Sequence, residues 1–395
     1  MAWKEQKFLL NNIMNIKTIL ILILITAPFK VYGNFLKLNT PAKQVILYDH
    51  EIKKVLYEKN SNAPMKPASM AKIMTAYIVF DRLQEGSLSL DDKFVVSKKA
   101  WRKGGSRTFL KLNSEVTIRD LLMGLIVQSG NDAAIALAEG IAGSEEDFAI
   151  QMNQYADLLE MNNTFFTNST GWPHEDLKTT AYDLVKLTEA LINNFPKLYK
   201  LFIEREFTFN NIRQPNRNPL LIGRYKVPGA DGLKTGHTNE SGYGLIGSVV
   251  RKKRRITLVV NGLNSMKQRG KESKRLLELA FRETYILKVF QNNNILSTAN
   301  VWLGNKSKIN LMAEKPLKIL VNRSALRMIK TTIMWNDPVK APIKIGEKIG
   351  IINIKIPGRE KLELNLVSKD NVNGLGPIDK IKSAMNYLIF GGDIN

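Results

Sequence analysis

The chain has 395 residues, no cysteine and a formal net charge of +22, from 58 Lys and Arg against 36 Asp and Glu. This length provides for one large domain and a smaller one, and the lack of cysteine excludes disulfides, thiol catalysis and thiolate metal sites. The positive charge favours anionic partners, which include nucleic acids, acidic lipids and acidic polymers, and by itself it does not choose among them.

The N-terminal segment, residues 1–33, predicts a signal peptide. Lysines precede an apolar run at residues 19–25, which is too short to span a bilayer comfortably. The small residues that follow favour cleavage after Gly33, and Met14 is an alternative start. An uncleaved anchor is the alternative interpretation. Either one predicts export of the remaining chain, which argues against nucleic acid as a partner.

A β-hairpin is predicted at residues 44–49 and 52–57, and it leads to a helix that ends at Gly86. At the start of this helix, Ser69 and Lys72 lie three residues apart, so their side chains share one face about 5–6 Å apart. Serine is a nucleophile when a neighbour takes its proton, and the apolar residues around Lys72 predict the burial that keeps a lysine neutral. The alternative is a serine that caps the helix beside a solvated lysine.

Three capping boxes predict further helices, which begin after Thr117, Ser144 and Thr180. Ser129 and Asn131 lie in a short polar link between the first of these helices and an apolar helix from Ala133, which is predicted to stop at Gly140. Polar side chains between buried helices are expected to be hydrogen-bonded or functional. For Asp183, helix capping is a sufficient explanation, and a role in a site is the alternative.

A third polar motif, Lys234, Thr235 and Gly236, lies in a predicted strand. Two further strands are predicted at residues 243–250 and 256–263, around a basic turn that we interpret as a solvated loop. Glycine beside polar strand residues lets a ligand approach the backbone closely.

A helix predicted from Met266 to Tyr285 closes the first domain, which we assign to residues 34–286. Alternating apolar residues predict a small all-β domain at residues 287–370. The tail, residues 371–395, has apolar residues on one helical face. Such a helix lies in a membrane surface or packs on the β domain, and the residues leave both interpretations open.

The three motifs Ser69-x-x-Lys72, Ser129-Gly130-Asn131 and Lys234-Thr235-Gly236 occur in this order on a helix start, an interhelical link and a strand. With them, the chain resembles the D-alanyl-D-alanine carboxypeptidases, the low-molecular-mass penicillin-binding proteins of the S11 serine peptidase family. The resemblance implies an α/β fold of the penicillin-binding/β-lactamase-like transpeptidase type, in which helices flank an antiparallel sheet, followed by the β domain and the amphipathic helix.

The resemblance also implies an activity and a location. Members of this family remove the terminal D-alanine from peptidoglycan pentapeptide, are inhibited by β-lactams, and act in cell wall biogenesis and cell shape. The family implies a periplasmic enzyme that the tail holds on the outer face of the inner membrane. No cofactor is expected. No histidine has H-E-x-x-H spacing, so no histidine-based metal site is expected either.

Within this resemblance, Ser69 is predicted to attack the peptide carbonyl and Lys72 to accept its proton. Lys234 is predicted to be the cation that disfavours charge on Lys72, since two close ammonium groups raise each other's energy. Together with Thr235, Lys234 is predicted to hold the terminal carboxylate of the substrate, and Arg217 is a supporting charge by resemblance.

The other predicted roles concern the leaving group and the peptide backbone. Ser129 is predicted to relay the proton to the departing amine and Asn131 to bind the peptide. The backbone N–H groups of Ser69 and His237 are predicted to form the oxyanion hole, beside Gly236. For His237 we expect the backbone to matter more than the imidazole.

Three alternatives use the same motifs. A β-lactamase needs fast deacylation, and Glu175 lies in a comparable loop but outside an E-x-x-x-N setting. A DD-endopeptidase that cleaves crosslinks is the nearer alternative. A wall-binding scaffold with a silent site is the third, and the intact motif residues argue against it.

Overall fold

The computed structural model describes residues 35–390, so the predicted signal peptide and its cleavage site lie outside the described residues. The α-helices are α1 Lys72–Glu85, α2 Lys98–Arg102, α3 Ile118–Met123, α4 Asn131–Ala142, α5 Glu145–Leu158, α6 Ala181–Asn194, α7 Met266–Glu283 and α8 Pro377–Phe390. The strands of the first part are β1 Gln44–Asp49, β2 Lys54–Lys59, β3 Lys93–Val95, β4 Glu115–Thr117, β5 Glu206–Phe209, β6 Ile212–Pro215, β7 Ala230–Thr238, β8 Gly242–Arg251 and β9 Arg254–Leu263. Those of the second part are β10 Thr284–Phe290, β11 Ile295–Trp302, β12 Lys308–Ala313, β13 Leu317–Asn322, β14 Lys330–Trp335, β15 Val339–Lys340, β16 Lys348–Lys355 and β17 Leu362–Ser368.

The central sheet has the order β2-β1-β9-β8-β7, and every neighbouring pair is antiparallel. Successive side chains of a strand point to opposite faces. In β1, Ile46 therefore packs into the core formed with α1, α4 and α6, whereas Val45 and Leu47 pack into the core that contains Leu276 and Leu277 of α7. Burial of both faces explains why β1, β8 and β9 are almost continuously apolar.

Helix α1 passes through the larger core. All residues from Lys72 to Phe80 are buried, so the apolar side chains surround the helix instead of forming one stripe. The helix ends at Gly86, whose φ of +79° suits a glycine after the last turn, as predicted. The predicted hairpin before it is confirmed as β1 and β2.

The predicted capping boxes are confirmed, because the hydroxyls of Thr117, Ser144 and Thr180 accept hydrogen bonds from the backbone N–H groups three residues later. The prediction that α4 stops at Gly140 is wrong. The helix continues to Ala142 and ends at Gly143, which has a φ of +82°. Gly140 is needed for packing instead, since a Cβ there would lie 2.1 Å from the ring of Phe94.

The chain after α7 forms a second β layer, in which the strand pairs are antiparallel except for the parallel pair of β11 and β15. Its six-stranded sheet has the order β14-β16-β17-β12-β11-β15, β10 pairs with β13, and these strands enclose an apolar core of their own. Helix α7 ends two residues earlier than predicted, because Thr284 and Tyr285 begin β10. The hairpin of β16 and β17 turns at residues 357–358, as predicted. The four segment boundaries given above stay predictions.

Helix α8 confirms the helical interpretation of the tail. Its residues Ile378, Ile381 and Met385 are exposed at spacings that place them on one side of the helix. Between residues 35 and 390, no helix combines the length and the apolar character that crossing a bilayer requires.

We expect Gly140→Ala to lower the free energy of unfolding by about 1–3 kcal/mol, because the added methyl group overlaps Phe94. This loss outweighs the roughly 1 kcal/mol by which alanine favours a helix over glycine. Denaturant unfolding measures the change. In a Phe94→Ala background the same substitution is expected to be neutral or stabilising, and an equal loss in both backgrounds would contradict the packing explanation.

Candidate active site

Ser69 lies in a single turn of 3-10 helix, Ala68–Ala71, directly before α1. Two glycines let other segments close on this turn. A Cβ on Gly171, whose φ is +72°, would lie 1.8 Å from the carbonyl oxygen of Ala68, and a Cβ on Gly236 would lie 2.8 Å from that of Pro67. The loop before α6 and the strand β7 therefore approach the nucleophile segment from two sides.

Lys72 is 1% exposed, and its ammonium group has three partners. Its Nζ lies 3.1 Å from Ser69 Oγ and donates to Asn131 Oδ1 at 2.7 Å and to the carbonyl oxygen of Thr170 at 2.6 Å. The predicted contact between nucleophile and base is thus present. The alternative of a solvated lysine is wrong.

These contacts orient the lone pair of a neutral Lys72. The Asn131 amide nitrogen donates to the carbonyl oxygen of Gly104 at 2.7 Å, which turns the amide oxygen toward Lys72. Asn131 Oδ1 and the Thr170 carbonyl accept only, so the two N–H bonds of a neutral amine point to them. The lone pair of Nζ then faces the hydroxyl of Ser69, as a general base requires.

The environment also makes the neutral amine accessible near neutral pH. Burial, followed by the charge of Arg217, lowers the pKa of Lys72 from 10.5 to about 7. The carboxylates of Asp132 and Glu145 act in the opposite direction.

The role of Lys234 as the cation that disfavours charge on Lys72 stays a prediction, and the repulsion between these two ammonium groups supports it. Lys234 is 3% exposed, and burial together with the charges of Lys72 and Arg217 lowers its own pKa well below the usual value. The half-solvated guanidinium of Arg217 keeps its charge more readily than a buried ammonium group. Arg217 is therefore a further cation that disfavours charge on Lys72, beside the repulsion between Lys72 and Lys234.

Ser129 and Asn131 both border this site. Ser129 ends a π-helix at residues 124–128 with a φ of +62°, is 2% exposed, and its hydroxyl forms no hydrogen bond with any residue between 35 and 390. Asn131, by contrast, is hydrogen-bonded on both amide atoms. Polar groups in this link were expected to be hydrogen-bonded or functional. Asn131 is hydrogen-bonded, whereas Ser129 is not and is therefore the candidate for a functional role.

Strand β7 carries the third motif as predicted. Lys234, Thr235 and Gly236 are buried, while the ring of His237 is exposed and stacks on Tyr243 with 3.9 Å between ring centroids. The expectation that the backbone of His237 matters more than its imidazole stays a prediction.

A backbone hydrogen bond positions Arg217 beside the site. Its N–H donates to the carbonyl oxygen of Val127 at 3.3 Å, which attaches the segment after β6 to the π-helix that ends at Ser129. The predicted site residues from all three motifs and Arg217 thus converge on one region, between the start of α1 and β7.

Sequence reasoning missed several contributors. The buried carboxylate of Asp132 accepts from the backbone N–H groups of Thr108 and Leu110 and so holds the loop that supplies Gly104. Glu145 accepts from the N–H and hydroxyl of Ser169, next to Thr170.

Arg269 is a third residue that sequence reasoning missed. It is 5% exposed, and its charge is a further cause that lowers the pKa of Lys234. Of these residues, only Asp132 could have been found from the sequence, because it directly follows the Ser129-Gly130-Asn131 motif.

Two other residues have different surroundings. The carboxylate of Asp183 accepts from Asn163 N–H and Thr164 Oγ1, which is a structural role. Glu175 is exposed, and its carbonyl oxygen accepts from Lys66. Within residues 35–390 no cluster of three or more histidine or acidic side chains is arranged to hold a metal ion.

The sequence matches the family described as D-alanyl-D-alanine carboxypeptidase over residues 35–265. The chain belongs to this family. Residues 287–374 match the C-terminal domain of penicillin-binding protein 5. Among carboxypeptidase relatives, DacC of Escherichia coli K12 is 38% identical over 341 residues, which cover 85% of each chain. DacF of Bacillus subtilis 168 is 33% identical, covering 87% of this chain and 89% of its own.

Solved structures confirm the predicted fold class. The carboxypeptidase DacD from Francisella tularensis superimposes with a TM-score of 0.71 at 29% identity and covers 86% of this chain and 95% of its own. Penicillin-binding protein 5 from Haemophilus influenzae has a TM-score of 0.67 at 32% identity, with coverages of 86% and 99%. Penicillin-binding protein D2 from Listeria monocytogenes, solved with ampicillin bound, has a TM-score of 0.57 at 29% identity and covers 62% of this chain and 99% of its own.

We expect the rate of acylation by penicillin to rise with pH around 7, because only neutral Lys72 accepts the serine proton. Arg217→Gln removes the cation that lowers this pKa, so the midpoint of the pH profile should move to higher pH. Arg217→Lys keeps the charge and is the matched control. Stopped-flow acylation across pH 5–9 measures both, and an unchanged midpoint in Arg217→Gln would contradict the electrostatic coupling.

Proposed function

We propose that the protein is a serine-type D-Ala-D-Ala carboxypeptidase that removes the terminal D-alanine from peptidoglycan pentapeptide through an ester on Ser69. The observation that carries this proposal is the buried contact of 3.1 Å between Ser69 Oγ and Lys72 Nζ. The family match and the carboxypeptidase relatives support the same activity. Cell wall biogenesis and cell shape are the processes to which this reaction contributes.

Acylation begins when the neutral amine of Lys72 takes the proton of Ser69 and the serine oxygen attacks the carbonyl of the D-Ala-D-Ala bond. The negative charge that develops on the carbonyl oxygen is stabilised by the backbone N–H groups of Ser69 and His237. Loss of one such donor typically costs about 10²–10³ in rate. Gly236 permits this arrangement because a side chain there would overlap the carbonyl oxygen of Pro67, two residues before Ser69.

The terminal carboxylate of the substrate binds to Lys234 and Thr235, with Arg217 as a supporting charge. An anion beside Lys234 favours its protonated form and so restores the charge that burial disfavours. The cations then hold the carboxylate while Lys72 stays neutral. Substrates that lack a free carboxylate lose this interaction, so we expect selectivity for the end of a chain.

Departure of D-alanine requires a proton on the leaving nitrogen. The hydroxyl of Ser129, which forms no hydrogen bond within residues 35–390, relays this proton from Lys72. The amide of Asn131 binds the peptide backbone while it holds Lys72. Water then cleaves the ester and releases the shortened peptide.

Ser69→Ala removes the nucleophile, and we expect it to abolish both covalent labelling by fluorescent penicillin and release of D-alanine from pentapeptide. The exported parent protein is the control. Absence of both signals in the parent would defeat the proposal. The bound ampicillin in the Listeria relative supports labelling as the assay.

The same experiment separates the alternatives. Label that turns over rapidly would favour a β-lactamase. Cleavage of crosslinked peptide dimers in preference to pentapeptide would favour an endopeptidase. One relative, the D-alanyl-D-alanine endopeptidase of Escherichia coli K12, is 32% identical over 220 residues, which are 54% of this chain and 69% of its own.

We propose a periplasmic location on the outer face of the inner membrane, with α8 lying in the membrane surface. The exposed apolar residues Ile378, Ile381 and Met385 on one side of this helix support the proposal. The chain's formal net charge of +22 adds attraction to acidic lipids.

Deletion of residues 375–395 is expected to move the protein from the membrane fraction to the soluble fraction, because it removes the apolar face of α8. Ile378→Asp with Ile381→Asp is a milder variant that keeps the chain length. Fractionation followed by penicillin labelling measures the distribution of folded enzyme. An unchanged distribution for a protein whose N-terminal segment has been cleaved would contradict this role of the tail.

A further inference from the structure

The end of the β domain from which α8 departs has an exposed surface with no role in the reaction described above. Three segments meet there, and they are residues 302–308, 339–345 and 371–376. Backbone hydrogen bonds join them, since Ala341 N–H donates to the carbonyl oxygen of Trp302 at 2.9 Å and Asn305 N–H donates to that of Asn373 at 3.0 Å. The three segments therefore form one continuous surface.

Close packing at Gly304 also holds these segments together. A Cβ there would lie 2.6 Å from a methyl group of Val372 and 3.1 Å from the Cβ of Ala341, so one residue of each segment meets at this point. Ile343 and Val372 exchange backbone hydrogen bonds of 2.9 and 2.8 Å. Because the backbone is fixed in this way, a partner has few residues to order when it binds.

The side chains that this surface exposes are basic and apolar. In the parallel pair of β11 and β15, Val301 and Val339 pack against the core, so Trp302 and Lys340 point outward on the other face. Trp302 is 40% exposed and Ile345 is 59% exposed. We call this the basal surface and define it by the exposed residues Trp302, Lys306, Lys340, Lys344 and Ile345.

The basal surface is positively charged. Its three segments contain no acidic residue and four lysines, which are Lys306, Lys308, Lys340 and Lys344. None of the four forms an ion pair with a residue that lies within 35–390. The carboxylates that flank the segments, of Asp337 and Glu347, accept hydrogen bonds from the backbone N–H groups of Asn300 and Lys344. The lysines are therefore available to an external anion.

The basal surface continues directly into α8. Leu375 N–H donates to the carbonyl oxygen of Leu303 at 2.8 Å, and α8 begins two residues later at Pro377. Two residues span at most about 7 Å. Whatever binds the exposed apolar side of α8 therefore lies close to Trp302 as well.

This combination of side chains matches an anionic bilayer better than a polymer in solution. Tryptophan favours the membrane interface, where its apolar ring and its N–H group each find a suitable environment. Lysines beside it are attracted to acidic head groups. An acidic polymer would use the lysines but would leave Trp302 and Ile345 in water.

We propose that the basal surface docks on an anionic phospholipid bilayer, with Trp302 and Ile345 at the level of the head groups and the lysines on lipid phosphates. This contact is separate from the reaction on Ser69. It rests on the membrane location proposed above and adds a second contact to that of α8. Two contacts fix the orientation of the β domain on the bilayer, which a single helix at the end of the chain does not.

The first test measures how the full-length exported protein binds to vesicles of phosphatidylcholine, alone or in equal mixture with phosphatidylglycerol, by sedimentation. A lysine near an anionic surface contributes about 5-fold in affinity, so Lys340→Gln/Lys344→Gln should bind the anionic vesicles roughly 25-fold more weakly. Binding of this variant to vesicles of phosphatidylcholine alone should equal that of the parent.

Lys330→Gln/Lys355→Gln is the matched control, because it removes the same charge from exposed positions at the other end of the domain. Strand β16 runs from Lys348, next to the basal surface, to Lys355, about 23 Å away at ~3.3 Å per residue. This separation exceeds the screening length of about 8 Å at physiological ionic strength. The control should therefore bind anionic vesicles as the parent does.

Trp302 provides a direct readout of the same contact. Brominated lipids quench an indole that lies in the bilayer, so part of the parent's fluorescence should be quenched on anionic vesicles that contain them. This part should be missing in Trp302→Phe, which keeps an aromatic ring at the position. Circular dichroism spectra equal to that of the parent show that each variant is folded.

Equal binding of the parent and Lys340→Gln/Lys344→Gln to anionic vesicles would overturn the proposal. Equal quenching in the parent and Trp302→Phe would overturn it too, as would an equal loss of binding in both lysine variants, which would show an effect of net charge alone. Binding of the parent to isolated cell wall but not to vesicles would identify an acidic wall polymer as the partner and contradict docking on a bilayer.

The place of α8 is tested separately by Ile378→Asp/Ile381→Asp, which should weaken binding to both kinds of vesicle. If this variant loses binding while Lys340→Gln/Lys344→Gln does not, the role of α8 stands and the basal contact fails. Release of D-alanine from pentapeptide in solution depends on neither contact, so the proposed reaction stands or fails independently of both.

Discussion

The buried amine of Lys72 is the constraint on which the site depends. A lysine side chain that is 1% exposed has lost its hydration, and the protein replaces this hydration with three fixed contacts. Each contact comes from a different segment: the turn before α1, the start of α4 and the loop before α6. The position of one nitrogen atom therefore depends on the packing of three parts of the domain.

This arrangement has a thermodynamic consequence. The pKa of Lys72 in the folded protein is about 7, below its value of 10.5 in an unfolded chain. Between these two values the unfolded chain binds the additional proton, so stability rises with pH across this range and is reduced at neutral pH. The apolar core around α1 offsets this loss. A strained or destabilised active site on a well-packed scaffold is common in enzymes.

Much of the fold and part of the site could be predicted from the sequence. Ser69 and Lys72 are neighbours because a spacing of three on a helix brings any two side chains together. The caps at Thr117, Ser144 and Thr180 likewise depend only on local sequence. Gly140 was misinterpreted because its contact with Phe94 is a tertiary one, and a glycine that ends a helix looks the same in the sequence as a glycine that packs closely.

The electrostatics were the hardest part to predict. The carbonyl oxygen of Thr170 is a backbone atom, which no residue type reveals. The effect of each cation on Lys72 depends on distances between segments that lie far apart in the chain, so Arg217 came from the family resemblance alone. Asp132 and Glu145 act through loops that they hold, and their sequence surroundings resemble ordinary helix starts.

The close approach of Gly171 and Gly236 to the turn that carries Ser69 bears on how ligands enter. Both contacts hold the backbone of the nucleophile segment in place, so this segment loses little conformational entropy when a ligand binds. Recognition then depends on the fit of the ligand to a shape that is already present. A compact bicyclic antibiotic, which is itself rigid, meets this requirement at a smaller entropic penalty than a flexible pentapeptide.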